Sequence, residues 1–238
     1  MKNIFISFLA GLLLSSCHHQ ITGDEIISQS INAHGGEVID TATIAFDFRK
    51  IHYQAYHSQG VYRYERWRQD SIHDVLDNEG FTRFVNNELF ILSQEDEQRY
   101  GNSVNSVIYF ALLPYKLNDP AANVQLQSET TIEGQPYYEV KVTFDKQGGG
   151  SDHEDVFAYW IHKNNFTMDY LAYLYHVNEG GTRFRKAFNR RNVNGILVAD
   201  YENYEGPYPY DVTDLDSLYS SGQLKMLSKI ELENVKVF

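Results

Sequence analysis

Among the residues able to do chemistry, the densest group in this 238-residue chain is Asp152-His153-Glu154-Asp155. Histidine set among carboxylates can ligate zinc or act as general base and acid. In a segment entering a strand, Asp152 and Glu154 point to one face while His153 and Asp155 point to the other. A pair per face falls short of the three protein ligands of a catalytic zinc. His162 or His176 would have to complete such a site from neighbouring strands. The preferred reading is a polar strand entrance paired across the sheet. His153 and Asp155 stay as candidate catalytic residues, with no metal and no cofactor expected.

A second group is basic and aromatic. Arg183 and Arg185 share one strand face, with Arg190 and Arg191 just beyond. Guanidinium forks suit carboxylates and phosphates. The chain carries 20 Lys plus Arg against 32 Asp plus Glu, a formal net charge of −12. Clustered arginines in so acidic a protein either pair with local acids or hold the anionic head group of a ligand. Asp152, Glu154, Asp155 and Asp200 are ready partners, and pairing is the preferred reading. Tyr173 and Tyr175 share one face, with Tyr170, Leu174 and His176 on the other, and Tyr137, Tyr159 and Tyr201 fit the same layers. Tyrosine suits a pocket that is apolar inside and wet at its rim, although it suits an ordinary sheet core equally. Arg183, Arg185, Tyr159, Tyr173, Tyr175 and Tyr201 form the candidate ligand-binding set. The sequence has no G-x-S-x-G elbow, phosphate-binding glycine loop, H-E-x-x-H or C-x-x-C pair.

The remaining reactive residue is Cys17, the single cysteine. Lys2, an apolar run from Ile4 to Leu14, and Ser15-Ser16 precede it, the layout of a lipoprotein signal peptide. The run is too short to span roughly 30 Å of hydrocarbon. Two or three acyl chains on Cys17 would anchor a globular domain where one chain gives only reversible binding. The expected organisation is a signal peptide over 1–16, a lipidated tether over 17–23 and one domain over 24–238. The partner expected at the N-terminus is therefore the membrane. The acidic balance excludes nucleic acid and disfavours anionic lipid surfaces.

The elements that must position these groups are mostly strands. With 18 Tyr and 14 Phe against 5 Pro, the composition favours sheet. A helix is expected from Asp24, which can cap it, to Gly35-Gly36, which stop it. Period-two patterning then marks short antiparallel strands: 43–48, 61–67, 72–76, 80–85 and 89–92. Val104, Val107, Ile108, Ala111 and Leu112 form a helical stripe that Pro114 ends. Further strands follow at 124–132, 137–144, 156–161, 168–177, 182–188 and 196–204, with one last strand in 224–237. The expected fold is α+β: a large antiparallel sheet that must curl, with one or two apolar helices on its concave face. Its interior is either a filled core or a ligand cavity.

The blocks Leu113-Pro114-Tyr115-Lys116-Leu117-Asn118-Asp119-Pro120, Asp152-His153-Glu154-Asp155 with Tyr159-Trp160-Ile161, and Gly181-Thr182-Arg183-Phe184-Arg185 through Asp200-Tyr201-Glu202-Asn203-Tyr204 resemble an uncharacterised family of Bacteroidota lipoproteins. The element order is similar to the outer-membrane lipoprotein carrier superfamily. That resemblance implies a half-barrel plugged by helices, with a cavity that takes acyl chains. The lipobox sets this chain apart from the soluble carrier and likens it to the anchored receptor member. The residues after Cys17, His18-His19-Gln20-Ile21, lack the acidic run of surface-exported lipoproteins, so the expected location is the outer membrane, facing the periplasm. The expected function is binding of a hydrophobic or amphipathic ligand. The alternatives are an envelope hydrolase centred on His153, Asp155, Arg183 and Arg185, and an interaction or structural lipoprotein with a filled core.

Overall fold

The computed structural model describes residues 20–69, 71–147, 154–176 and 179–238. Cys17, Asp152 and His153 lie outside the described residues.

The first helix, α1 (Gly23–Ala33), is started by Thr22 rather than Asp24. The Thr22 hydroxyl accepts from the Glu25 amide, and the Glu25 carboxylate accepts from the Thr22 amide at 2.8 Å. This reciprocal pair satisfies amides that the helix start leaves open. Thr22 and Gly23, expected in the tether, therefore belong to the folded unit. Ile26 and Ile27 are buried on the sheet side. Gly35 ends the helix at φ 84°, and a side chain there would strike the Gly195 carbonyl. The chain turns at once into a single helical turn, α2 (Gly36–Ile39).

A meander follows: β1 (Thr43–Phe48), β2 (Ile51–Ser58), β3 (Val61–Arg68), β4 (Ile72–Asp77), β5 (Gly80–Val85) and β6 (Glu88–Phe90). Asn86 and Asn87 make the last tight turn at positive φ. Helix α3 (Gln94–Ala111) starts at the Ser93 cap, ten residues before the apolar stripe that revealed it. Its first turns are polar and exposed, so periodicity marked only the half that packs. A 3-10 turn (Tyr115–Asn118) leads to a second run: β7 (Ala122–Ile132), β8 (Gln135–Phe144), β9 (Val156–His162), β10 (Met168–Tyr175), β11 (Gly181–Val193) and β12 (Ile196–Gly206). A short helix, α4 (Leu215–Ser220), precedes β13 (Lys225–Ile230) and β14 (Glu233–Val237).

The strands form two seven-stranded antiparallel sheets, ordered β14-β1-β2-β3-β4-β5-β6 and β13-β12-β11-β10-β9-β8-β7. Together they make the expected half-barrel, divided between two sheets and not closed into a barrel. The division falls where a single last strand was expected. Leu232 interrupts it: its amide donates to Asp200 at 2.9 Å and its carbonyl accepts from Arg191 at 2.5 Å. The chain is thereby handed from the edge of one sheet to the edge of the other.

Helix α3 is wedged between the sheets. Val104, Ile108 and Leu112 follow helical spacing and are buried against the first sheet. Tyr109 and Phe110, on the adjoining face, meet the second sheet: Phe110 lies 5.2 Å from Tyr173 and Tyr109 6.2 Å from Phe157, centroid to centroid. The central strands of the second sheet are buried on both faces. Tyr159, Ile161 and Leu171 pack inward toward α1 and α3, while Trp160, Tyr170 and Phe184 pack outward beneath Val212, Leu215 and Tyr219. Burial on both faces accounts for the unbroken apolar run of β9.

Candidate ligand-binding cavity

Between α3 and the inner face of the second sheet lies a cavity of about 610 Å³. Phe110 and Tyr109 form its helix wall, Phe157, Tyr173 and Tyr201 its sheet wall, and Leu232 and Ile230 one flank. The wall is polar where Arg49, Lys116, Arg183 and Arg185 join it, together with Asp119 and Asp155. The volume falls within the roughly 300–1,000 Å³ of small-ligand sites.

The tight contacts around it are aromatic. Phe157 stacks on Tyr159 and Tyr173 at 6.1 and 5.8 Å, and Tyr173 tilts against Tyr175 at 6.0 Å. Tyr173, Tyr175 and Tyr201 line the cavity, the first two from one face of β10 and the third from β12. Tyr159 does not. It is fully buried behind the wall, with its hydroxyl 3.5 Å from that of Tyr109, which does reach the cavity. Burial pushes the Tyr201 hydroxyl up to about 12 and that of Tyr159 well above its ordinary value. Both remain neutral, able to donate or accept a hydrogen bond.

The four arginines divide. Arg190 pairs with Asp169 at 2.5 Å and Arg191 with Asp200 at 3.2 Å. Arg183 donates to the Thr182 carbonyl at 2.7 Å and lies 3.9 Å from Glu205. Pairing, the preferred reading, describes these three. Arg185 departs from it. It is 9% exposed, its guanidinium carbon sits 4.1 Å from the Phe110 centroid, and Nη2 donates to the Tyr173 hydroxyl at 2.8 Å. Its Nε is buried without a partner. Among the described residues no carboxylate lies within ion-pair distance of it.

Lys116 enters from the turn after α3. Its Nζ donates to the Tyr64 hydroxyl and lies 4.9 Å from that ring's centroid. Burial holds the ammonium down to about 8. Lys116, Tyr109 and Phe110 were not in the candidate set. The signal that could have found them is the width of the apolar stripe: Tyr109 and Phe110 extend it past the single face that one sheet can cover.

Of the acidic segment, the described residues bring only Asp155 to the cavity. Asp155 lines the cavity just before β9, and His153 lies outside the described residues. His162 is at the far end of β9, roughly 23 Å along the strand, where its Nε2 lies 3.3 Å from Gln135. His176 is exposed beyond β10. Among the described residues no group of three or more His, Cys, Asp or Glu could hold a metal ion. Among them, too, no helix is long and apolar enough to cross a membrane.

A family of unknown function, DUF6503, matches residues 2–234. The chain belongs to this family. No curated protein matches the sequence. Solved structures similar in fold include a LolA superfamily protein from Nitrosomonas europaea, at 10% identity and TM-score 0.53, covering 91% of this chain and 94% of that one. A DUF1329 family protein from Desulfovibrio piger aligns at 9% identity and TM-score 0.53, covering 90% and 92%. An outer-membrane lipoprotein-sorting protein domain from Vibrio parahaemolyticus aligns at 9% identity and TM-score 0.51, again covering 90% and 92%. The likeness is one of fold: this DUF6503 member has the LolA-like layout expected from its element order.

Proposed function

We propose that this DUF6503 member is a lipid-anchored protein of the cell envelope that holds a hydrophobic or amphipathic ligand between α3 and its second sheet. The observation that carries the reading is the cavity of about 610 Å³ walled by Phe110, Phe157, Tyr173 and Tyr201. A concave site of this size, mostly apolar with a few convergent polar groups, is the kind that takes a small ligand, which speaks for binding over a purely structural role. The lipobox ending in Cys17 supports anchoring to the outer membrane on the periplasmic side, and the LolA-like fold agrees with a cavity suited to acyl chains. Arg183, Arg185, Tyr173, Tyr175 and Tyr201 are the side chains proposed to face the ligand, with Tyr159 holding Tyr109 from behind.

The test is native mass spectrometry of the full chain extracted from envelopes. Masses of bound lipid are expected on the natural protein. They are expected to vanish in Ala199→Trp, which fills the cavity floor, while its circular dichroism stays native. A Cys17→Ala chain should leave the membrane fraction. Protein that carries no lipid and takes up none when it is offered would end the binding reading.

A further inference from the structure

The cavity differs in charge from the molecule that contains it. The chain carries a formal net charge of −12. Yet the described residues of the cavity wall include Arg49, Lys116, Arg183 and Arg185 against only Asp119 and Asp155. An excess of positive charge on the wall of a cleft raises the local concentration of anionic ligands.

Within that wall Arg185 stands apart. Arg183 spends its guanidinium on Thr182 and Glu205, and Lys116 is turned onto Tyr64. Arg185 is 9% exposed, with Nη2 given to Tyr173, Nε unpartnered and no described carboxylate beside it. A charge held out of water is expensive unless it is paired. The Phe110 and Tyr173 rings lie 4.1 and 5.1 Å from the guanidinium carbon, and the Tyr173 hydroxyl takes one of its donors, so the group is held in place before any ligand arrives. A fork fixed in one plane favours a carboxylate or phosphate oxygen pair.

We propose that Arg185 receives the anionic head, a carboxylate or phosphate, of a single-chain amphiphile whose tail lies along Phe110, Phe157 and Tyr173. This rests on the ligand-binding reading above and narrows it: the occupant is an acid, not a neutral lipid. Tyr173 has two parts in it, its ring against the tail and its hydroxyl holding the guanidinium at the head.

The experiment is equilibrium binding of radiolabelled hexadecanoate, hexadecyl phosphate and hexadecanol to the full chain in phosphatidylcholine nanodiscs, with empty nanodiscs subtracted. An ion-paired head is expected to make at least one of the acids roughly tenfold or more tighter than the alcohol, and which acid gains shows the head group preferred. In Arg185→Gln that advantage should disappear, while circular dichroism and thermal melting like those of the natural chain report that the variant is folded. Arg185→Lys, which keeps the charge without the fork, should retain part of the advantage. Equal binding of acids and alcohol to the natural chain, or an advantage that survives Arg185→Gln, overturns the proposal and leaves the ligand-binding reading standing. No binding of any probe overturns both.

Discussion

At the scale of single residues, a run of hydrogen bonds joins Lys116, Tyr64 and His57. Lys116 can only donate, so the Tyr64 oxygen accepts from it, and the Tyr64 proton is directed at His57 Nε2, 2.8 Å away. His57 is thereby the Nδ1–H tautomer, with that nitrogen buried and unpartnered. Burial, and then the nearby Lys116 ammonium, pull the imidazole from 6.5 down to about 4. The sign of the effect on stability follows. Above pH 6.5 both folded and unfolded chains hold His57 neutral, and its contribution is intact. As pH falls from 6.5 toward 4 the unfolded chain takes up a proton that the folded one refuses, so stability is lost across that window. The loss is about 3 kcal/mol. Replacing His57 by Phe keeps an aromatic ring against Tyr64 and Tyr115 and removes the titration. Urea midpoints of the natural chain should fall more steeply between pH 7 and pH 4 than those of His57→Phe. Parallel curves would show that the pair does not hold its proton this way.

At the scale of elements, the position of α3 decides whether a cavity exists, and a buried charge cluster helps hold it. Asp74, on β4 and fully buried, accepts from Arg66 at 2.6 and 3.0 Å and from Arg83 at 2.6 and 3.0 Å. Arg66 reaches on to Ser103 of α3 at 2.9 Å, and Arg83 lies 3.8 Å from the Tyr100 ring centroid. One carboxylate thus orients two cations, both of which grip the helix. Asp74→Asn leaves two buried guanidinium groups without a counter-charge and is expected to destabilise the fold by roughly 3–5 kcal/mol. Guanidinium denaturation checks the size, and hydrogen exchange in α3 should rise before that of β9 or β10. The short turn after Asp77 sets Asp74 opposite Arg83, but that this face is buried depends on α3, a long-range partner that no local pattern supplies. What the pattern did carry was local. Period two located strands such as Gly80–Val85, and Pro114 together with the apolar stripe located the C-terminal half of α3. The break at Leu232, the polar first half of α3 and the cover that α4 lays over β9–β11 depend on long-range partners, Asp200 and Arg191 among them. Arg183 and Arg185 illustrate both sides. Alternation placed them on one face, but only the fold shows that Glu205 attends to one and no described carboxylate to the other.

At the scale of the whole molecule, the cavity lies where the two sheets communicate. The helix that closes it is anchored in the first sheet through Val104 and Ile108, whereas the opposite wall belongs to the second through Phe157 and Tyr173. A ligand seated there touches both halves, and it touches them only when the halves are docked. Binding must then stabilise the assembled fold over any state in which α3 has swung away, by RT ln(1 + [L]/Kd). At a hundredfold excess over Kd that amounts to about 2.7 kcal/mol, which for a chain of this size corresponds to a rise in Tm of roughly 5–10 °C. Calorimetry with hexadecanoate should show the rise in the natural chain and none in Ala199→Trp, whose side chain occupies the same space permanently. The filled variant should also melt as one transition at a temperature that ignores added ligand. Were the natural chain to bind hexadecanoate yet melt unchanged, the ligand would be held on one sheet alone, and α3 would be a neighbour of the site and not its wall. A rise confined to a second, separate transition would place the ligand on the sheet that melts there. The single shared transition, shifted as a whole, is the outcome that a helix wedged between two sheets requires.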